Sequence, residues 1–481
     1  MFLLARSLPT ATLARARGVR AAQLWCAWCA WCASIAGCST APEIRAQTLL
    51  VVDTDLPVAG APGAVPVAAM DTLRIDVLDG TTVRETRELV LGDPLDWPVS
   101  LGAAGGVRLR LRLFRAALAT VTDGGGSRIR EPRAEVSVDR LVDVSPPVAG
   151  VSRTRVLLTG DCLGFAADVA TAKTCIAAGQ PAGASGDGLA PDNGRPTRVG
   201  TWSRLTPAPC TTPDRPDRPC IPGSFDVIGD LALVANASEK EQPVPLRAVV
   251  IAPFRMDRTE VTVGLYRQLR AGGWNPVASL PLTARADSRV LQLCTFVGEG
   301  DKSADALPLN CVTLAFAREL CAFSKGRLPT EAEWEHAARG RDGRPFPWGD
   351  VEPSCCTTSA SRSAAALLVA CRGGSAEPVG SHVGAPESCP GGGDVSRDGI
   401  VDLGGSLSEM TSDDFMRVVE CGQIGLAIDP TCIIDGRGPV VSKSTDWTSG
   451  LGRTRAAFRG PATLSESATQ GFRCVYPEGG P

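Results

Sequence analysis

Short runs in which apolar and polar residues alternate dominate the chain between residues 47 and 161. Clear examples are TLRIDVLD at 72–79, GVRLRLRLFR at 106–115 and AEVSVDRLVDV at 134–144. Side chains of a β-strand point alternately to its two faces, so this period of two predicts strands with one apolar face each. Glycine and proline clusters separate the runs. Strands at this spacing predict a β-sandwich, which we place at residues 38–161.

Three arginines of the run at 106–115 alternate with leucines: Arg108, Arg110 and Arg112. The alternation puts all three guanidinium groups on the strand face opposite the leucines. They would form either a solvated sheet face or an anion-binding strip, and the pattern favours the solvated face.

The alternation then ends, and residues 162–220 are rich in glycine, alanine, proline and aspartate. Two cysteine pairs, Cys162/Cys175 and Cys210/Cys220, enclose short loops there, and each pair could form a disulfide that stabilises the segment. We interpret the segment as a disulfide-tied spacer without a hydrophobic core of its own. The pairing stays open, because the fourteen cysteines that follow the N-terminal segment allow very many connectivities.

Helical periodicity follows further along the chain. In VTLAFARELCAF at 312–323, apolar residues form one stripe at helical spacing, namely Leu314, Phe316, Leu320 and Phe323. In GRLPTEAEWEHAARG at 326–340, the early acidic residues suit a helix N-terminus, which predicts a helix over Glu331–Arg339 that ends at a glycine. A further helix is predicted over 260–269, with Thr259 as its N-cap.

The start of the chain combines several arginines with the apolar stretch 21–37. That stretch ends in Ile35-Ala36-Gly37-Cys38, which resembles the lipobox of bacterial lipoprotein signals. The resemblance implies a signal peptide at residues 1–37 and a lipid on Cys38, which would anchor the chain to a membrane. An uncleaved signal anchor is the alternative, although about 17 apolar residues are few for a spanning helix. Ser39 favours the outer membrane, so we expect a lipid-anchored protein of the cell envelope.

Charge and histidine content argue against two classes of function. The formal net charge is −3, so no large positive field is available to hold nucleic acid, and we expect no nucleic-acid partner. The two histidines, His336 and His382, are too few for most metal sites built from imidazoles. The 18 cysteines, in an exported chain, indicate a disulfide framework.

Four motifs follow one another in the C-terminal half: DRTEVTVGLYRQL at 257–269, RLPTEAEWEHAARG with a nearby FPWGD at 327–350, VDLGGSLSEMTSD at 401–413 and GFRC at 471–474. Together they resemble the formylglycine-generating enzyme, or sulfatase-modifying factor, family. The resemblance covers residues 221–476 and leaves 477–481 as a tail. It implies an irregular α+β domain related to C-type lectins. The whole chain is therefore predicted to be α+β, with an N-terminal β-sandwich followed by this domain.

The resemblance implies structural roles for several residues. In the family, the RLPTEAEWE segment supports the fold through hydrogen bonds of its side chains to loops. We therefore assign no catalytic role to its charged and aromatic members, Arg327, Glu331, Glu333 and Trp334. We expect His336 to be a packed or surface residue and not a ligand. The resemblance also implies a disulfide between Cys321 and Cys474, and closing so long a loop would stabilise the fold by about 4–5 kcal/mol.

Active members of the family oxidise a substrate cysteine with oxygen and a copper(I) ion, which two cysteines in a Cys-x-x-x-x-Cys pattern hold. Here RTRAAFR at 453–459 resembles the element that follows those cysteines, and counting back without gaps puts Asp446 and Leu451 in their places. No cysteine occurs between Cys432 and Cys474. The sequence therefore argues against copper and against this reaction. The ergothioneine-synthase branch needs a His-x-x-x-His-x-Glu iron motif, which two isolated histidines cannot supply.

The spacing of one family calcium site is matched by Asp402, Gly405, Leu407 and Glu409. It would offer two carboxylates and two backbone carbonyls, the hard oxygen ligands that calcium takes. A competing pattern resembles an EF-hand-like loop and shares one residue with the first, its members being Asp394, Ser396, Asp398 and Asp402. The remaining alternative is a polar turn that binds no ion.

Three functions stay open. A lipid-anchored binding protein with a non-catalytic family domain, and an unidentified protein or glycan partner, fits the missing cysteine pair best. Oxygen-dependent oxidation of a protein cysteine would have to use other cysteines, such as Cys355-Cys356. Adjacent cysteines in an oxidising compartment are, however, more often disulfide-bonded separately. Calcium-dependent carbohydrate binding is the third hypothesis and rests on analogy of fold.

Overall fold

The computed structural model describes residues 46–479, with gaps at 60–69, 104, 125–126, 178–182, 235–245, 290, 361–370, 372, 385–391, 417–420, 422–424, 435, 437 and 464. The predicted signal peptide and Cys38 lie outside the described residues. No helix in this described part is long and apolar enough to cross a membrane. The chain is α+β, as predicted, and consists mostly of sheets with few helices.

The N-terminal strands form two four-stranded sheets around one hydrophobic core. One sheet has the order β12-β9-β1-β4 and the other the order β3-β2-β5-β8, while β6-β7 and β10-β11 form hairpins. The strands are β1 Gln47–Thr54, β2 Thr72–Asp79, β3 Thr82–Val90, β4 Val99–Ala103, β5 Val107–Phe114, β6 Thr120–Gly124, β7 Ser127–Glu131, β8 Val138–Val144, β9 Val151–Leu158, β10 Lys173–Thr174, β11 Gly183–Ala184 and β12 Ala190–Pro191.

The alternation in the sequence explains the core of this sandwich. Leu50 of β1 and Leu73 of β2 lie in the same buried cluster as the leucines of β5. The arginines of β5 point to the other face, where carboxylates of neighbouring strands neutralise them. Arg110 pairs with Asp139 of β8 at 2.6 Å, and Arg112 pairs with Asp76 of β2 at 2.6 Å. Arg112 is buried, so the face is an ion-pair ladder rather than the solvated surface that the sequence favoured.

The spacer packs against both neighbouring parts of the chain. Its two short-loop disulfides are present, Cys162–Cys175 and Cys210–Cys220. Trp202 is 3% exposed, lies in the sandwich core cluster and contacts Phe225 edge-on at 5.1 Å between ring centroids. The spacer therefore forms no core of its own but contributes an anchor to the core that it covers.

The C-terminal elements are shorter and separated by long loops. Their sheets have the orders β13-β16-β22, β14-β15-β18 and β20-β19-β17-β21. The elements are β13 Cys220–Ile221, β14 Ser224–Ile228, α1 Leu231–Val234, β15 Arg247–Ile251, β16 Phe254–Met256, α2 Val263–Ala271, α3 Leu314–Phe323, α4 Glu331–Arg339, β17 Ser408–Asp414, β18 Ala427–Ile428, β19 Val440–Lys443, β20 Arg459–Pro461, β21 Gln470–Gly471 and β22 Val475–Pro477.

Of the three predicted helices, α4 is confirmed, whereas the predictions for α2 and α3 need correction in detail. Helix α4 has the predicted bounds, because Thr330 and Glu333 form a capping box at its start. Helix α2 begins three residues later than predicted, since Thr262 and not Thr259 accepts the capping hydrogen bond. In α3, Phe323 is 47% exposed and stacks on Trp274 instead of extending the buried stripe.

Candidate functional site

Helix α4 carries charged side chains into the interior of the domain, and all nine of its residues are buried. Glu331 lies between two arginines, with Arg459 Nε 2.8 Å from Oε1 and Arg247 Nη2 3.4 Å from Oε2. Burial alone would raise the pKa of Glu331, but the charges of Arg459 and Arg247 lower it. Arg459 is the last residue of the RTRAAFR motif, so this motif anchors a distant loop to the start of α4.

Glu335 is the second buried carboxylate of α4. Its Oε2 lies 2.9 Å from Nζ of Lys443, and both side chains are fully buried. Its Oε1 accepts hydrogen bonds from Arg339 at 3.0 Å and from the backbone N–H of Gly229 at 2.7 Å. Burial would raise the pKa of Glu335, but Lys443 and Arg339 outweigh it and lower the pKa to about 2. The carboxylate is therefore ionised and fully paired.

His336 is packed, as predicted, at 1% exposure. Its Nδ1 lies 3.3 Å from a carboxylate oxygen of Asp226, and its Nε2 lies 3.1 Å from the carbonyl oxygen of Pro222. Burial lowers the pKa of His336, but the hydrogen bond to Asp226 more than offsets this and raises it. These contacts tie α4 to β14. Together with the ion pairs of Glu331 and Glu335, they support the structural role predicted for this segment.

The four predicted calcium-site residues lie close together in a buried loop and in β17. Glu409 is fully buried, and both of its oxygens are occupied. Oε1 accepts from Arg473 at 2.6 Å, while Oε2 accepts from Arg473 and from the indole N–H of Trp334, each at 2.7 Å. An ion bound at Glu409 would therefore share the carboxylate with a guanidinium group, which opposes cation binding by like-charge repulsion.

The other predicted ligands have mixed surroundings. Asp402 is 2% exposed, has a φ of 60°, and accepts a hydrogen bond from Gly380 N–H at 2.6 Å. Burial raises the pKa of Asp402 to about 6. Leu407 donates its backbone N–H to Glu260 at 2.9 Å. Gly405 is packed so closely that an added Cβ would lie 2.3 Å from Thr358 Oγ1, so this position requires glycine.

Two further buried carboxylates lie beside this loop. Asp394 belongs to the competing EF-hand-like pattern of the sequence, whereas Glu260 was not among the sequence candidates for a metal site. Glu260 and Asp394 are each 1% exposed. Oε2 of Glu260 and Oδ1 of Asp394 have no hydrogen-bond partner among the described residues. Burial and neighbouring carboxylates raise both pKa values well above the usual range. Glu260 was assigned to a helix start, and only the true position of the α2 cap reveals its buried role.

Two carboxylates of the alternative EF-hand-like loop, Asp394 and Asp398, have different charged neighbours. Asp394 faces Asp402, His382 and Arg473. Burial raises the pKa of Asp398, and the nearby charges that lower it are those of His336 and arginines. Within the part of the chain that the structure describes, no three His, Cys, Asp or Glu side chains gather closely enough to hold a metal ion.

The positions that correspond to the family's copper-binding cysteines offer no soft ligand. Asp446 accepts hydrogen bonds from the backbone N–H of Thr448 at 2.8 Å and from the Ser449 hydroxyl at 3.2 Å, so it closes a local turn. Leu451 begins a short 3-10 helix. A carboxylate engaged in a turn and an aliphatic side chain do not fit copper(I), which prefers thiolates.

The described cysteines elsewhere in the domain are oxidised. The predicted Cys321–Cys474 disulfide is present and ties α3 to the end of the chain. Cys355 pairs with Cys371, and the adjacent Cys356 is also disulfide-bonded. The remaining disulfides of the described domain are Cys294–Cys311 and Cys421–Cys432. Neither vicinal cysteine is therefore available as a thiol in this state.

These features define a disulfide-rich α+β domain of the formylglycine-generating type, built on a charged α4 and a buried Glu409–Arg473 pair. The sequence of residues 216–477, more than half of the chain, matches the family described as Sulfatase-modifying factor enzyme 1-like domain. The chain belongs to this family.

Two curated relatives match part of the chain. Inactive C-alpha-formylglycine-generating enzyme 2 of Bos taurus is 31% identical over 134 residues, which cover 22% of this chain and 44% of that protein. Hercynine oxygenase of Mycolicibacterium thermoresistibile is 31% identical over 162 residues, which cover 29% and 36%. The chain thus spans less than half the length of these relatives. The solved structure of PvdO from Pseudomonas aeruginosa aligns with a TM-score of 0.39 at 19% identity, covering 57% of this chain and 99% of that one.

Proposed function

We propose that the chain is a lipid-anchored protein of the cell envelope whose family domain binds a ligand or partner and does not oxidise cysteine. The observation that carries the proposal is the replacement of both copper-binding cysteines. Asp446 and Leu451 stand at those positions by ungapped counting, and the sequence has no cysteine between Cys432 and Cys474. A copper(I) ion would find no thiolate pair there, and a substrate thiol would find no metal to bind.

The state of the other cysteines supports the same proposal. An alternative oxidation chemistry would require free thiols, and Cys355 and Cys356 were the candidates for it. Both are disulfide-bonded. Glu331 and Glu335 of α4 are likewise engaged in buried ion pairs that stabilise the fold, which agrees with a structural role for the RLPTEAEWE segment.

The name of the bovine relative describes that protein as inactive, and it supports the proposal by analogy only. Hercynine oxygenase is named for a different reaction, and the iron motif expected for that branch is absent from this sequence. Partner binding by loops is the alternative use of the fold, because variable loops on a rigid scaffold are common binding elements. In the ranges 355–400 and 413–450, the described residues outside the strands would supply such loops.

A copper(I) titration tests the loss of the metal site. The purified chain competes with a chromogenic copper(I) chelator, and we expect no binding at one equivalent. Tight stoichiometric binding by the unaltered chain would overturn the proposal. The double variant Asp446→Cys/Leu451→Cys is the matched comparison, since it restores the spacing of the family pair on the same scaffold, and we expect it to compete for the metal.

Membrane attachment rests on Cys38, and its test is independent of the domain. Replacing Cys38→Ala should abolish incorporation of a labelled fatty acid, whereas the wild type should incorporate it. Retention of label in this variant would refute lipidation at this position. Proteinase treatment of intact cells then distinguishes a surface-exposed chain from a periplasmic one.

Calcium stays a proposal of its own. It is supported by the unpartnered oxygens of Glu260 and Asp394 beside the predicted ligand Asp402. It is opposed by the engagement of Glu409 with Arg473, and by the finding that no three His, Cys, Asp or Glu side chains of the described residues gather closely enough to hold a metal ion. A ligand that binds only the folded state stabilises by about 2.7 kcal/mol at a hundredfold excess over Kd. Calcium should therefore raise the melting temperature of the wild type but not of Asp402→Asn, with Asp398→Asn as control. Equal melting in calcium and chelator would refute the site.

A further inference from the structure

One edge of the β3-β2-β5-β8 sheet is not covered by any strand among the described residues. Strand β3 pairs with β2 only, and seven of its nine residues are exposed. The spacer covers the opposite edge of the sheet, strand β8. There the Asp143 N–H donates to the carbonyl oxygen of Ser185, and the Leu141 N–H donates to Thr174 Oγ1, each at 3.1 Å. Among the described residues, β3 is the long edge strand that stays open for pairing.

The sequence of this edge is self-complementary. In TVRETRELV the charges run Arg84, Glu85, Arg87, Glu88 around the central Thr86. If a second copy pairs antiparallel with Thr86 opposite Thr86, each arginine faces a glutamate of the other copy. We propose that β3 is a homodimerisation edge, which joins two copies of this chain into a continuous sheet across a two-fold axis at Thr86.

The charges also specify the register. The nearest registers that keep the same backbone groups facing the second copy are shifted by two residues. One of them places Glu85 opposite Glu85 of the second copy, and the other places Arg87 opposite Arg87. Like charges directly opposite each other destabilise a pair of strands, so both neighbouring registers are disfavoured. Only the register centred on Thr86 pairs each of the four charged residues with a residue of opposite charge. Repulsion in the other registers therefore adds to the specificity of this one.

Apolar residues flank the charges. In the same register Val83, which is 45% exposed, opposes Leu89 of the second copy, and Val90, which is 74% exposed, opposes Thr82. Arg87 lies 2.7 Å from Glu85 within one strand, so the two copies would combine these pairs into an alternating group of four charges. The bulge that leaves Arg84 unpaired with β2 bends this end of the strand, and it leaves residues 85–90 in regular pairing with β2.

Cross-linking tests the register directly. Residues opposite each other in an antiparallel pair have Cα atoms roughly 4.5–5.5 Å apart, within reach of a disulfide. The Thr86→Cys variant of the full chain should therefore form a covalent dimer under mild oxidation, seen on a non-reducing gel. The matched control is Val90→Cys, which is also exposed but lies far from Val90 of the second copy in this register. We expect at least a tenfold slower cross-linking for the control.

Charge exchange provides the second test. In the Thr86→Cys background, Arg84→Glu/Arg87→Glu makes an acidic edge and Glu85→Arg/Glu88→Arg makes a basic edge. Each should remain monomeric alone, whereas a one-to-one mixture should form the mixed covalent dimer. Thr86→Cys loses the hydrogen bond from the Thr86 hydroxyl to the buried Asp76, so the folding of each charge variant is verified by a melting temperature equal to that of the Thr86→Cys parent. Equal cross-linking of Thr86→Cys and Val90→Cys, or self-association of the acidic variant as strong as that of the parent, would overturn the proposal.

Discussion

Replacement of Lys443→Met tests the structural role of α4 most sharply. The change removes the ammonium group 2.9 Å from Glu335 and keeps a similar apolar length, so Glu335 retains only Arg339 and the Gly229 N–H. A pKa lowered from 4.5 to about 2 corresponds to about 3 kcal/mol of preferential stabilisation of the ionised carboxylate in the folded chain. Removing one member of a buried ion pair typically costs about 3–5 kcal/mol.

At pH 7 we therefore expect the free energy of unfolding to fall by about 3–5 kcal/mol, or the melting temperature by roughly 6–20 °C. The pKa of Glu335 is lowered by folding, so the contribution of the pair is present above about pH 4.5 and is lost as the pH falls toward 2. The difference between wild type and variant should shrink over that interval. Differential scanning calorimetry from pH 2 to pH 7 measures both effects.

Two controls isolate the pair. Lys302→Met removes an exposed lysine and should change the melting temperature by less than about 2 °C, because surface substitutions rarely cost more than about 0.5 kcal/mol. Glu335→Gln added to Lys443→Met should recover part of the loss, since no buried charge is then left unpaired. A loss below about 1 kcal/mol for Lys443→Met, or a loss that does not depend on pH, would refute the reasoning.

Three other predictions concern the remaining structure. Removing the Cys321–Cys474 disulfide, whose cysteines are 153 residues apart, should cost about 4–5 kcal/mol and more than removing Cys210–Cys220, as compared by thermal melting of the paired Ala variants. Trp202→Ala should cost about 3–5 kcal/mol through the cavity it leaves against Phe225, whereas a cost below about 1 kcal/mol would contradict the anchor role of the spacer. Burial raises the pKa of Asp413 to about 6, so its contribution to stability is present below about pH 4 and is lost as the pH rises through 6. Compared with Asp413→Asn, the wild type should therefore lose roughly 3 kcal/mol between pH 4 and pH 7, and parallel pH profiles of the two chains would contradict this.

The elements that could be predicted are those that local sequence determines. The bounds of α4 follow from a capping box within four residues and a terminal glycine, so Thr330 and Gly340 define them without the rest of the fold. The two disulfides of the spacer are also local, because their cysteines are only 13 and 10 residues apart in the sequence. The start of α2 could not be fixed in the same way, because Thr259 and Thr262 are equally good caps by residue type. In the structure, Thr262 accepts the capping hydrogen bond from Leu265 N–H.

The partners of the buried charges could not be predicted. Glu335 pairs with a lysine 108 residues away, Glu331 with an arginine 128 residues away and Glu409 with an arginine 64 residues away. No local pattern links such positions, because the fold alone brings them together. For the same reason the sequence suggested a solvated face for the β5 arginines, whose acidic partners lie on other strands.

The measurement that tests the central claim most directly is an oxidation assay of the intact chain. The purified protein is loaded with copper under reducing conditions, mixed with a cysteine-containing peptide and exposed to oxygen. Mass spectrometry of the peptide then detects conversion of the cysteine to an aldehyde, with a family member that retains the cysteine pair as positive control. The account predicts no copper-dependent conversion above the peptide-only background. Conversion that requires both the chain and copper would contradict it, and would show that the domain catalyses the family reaction without thiolates at Asp446 and Leu451.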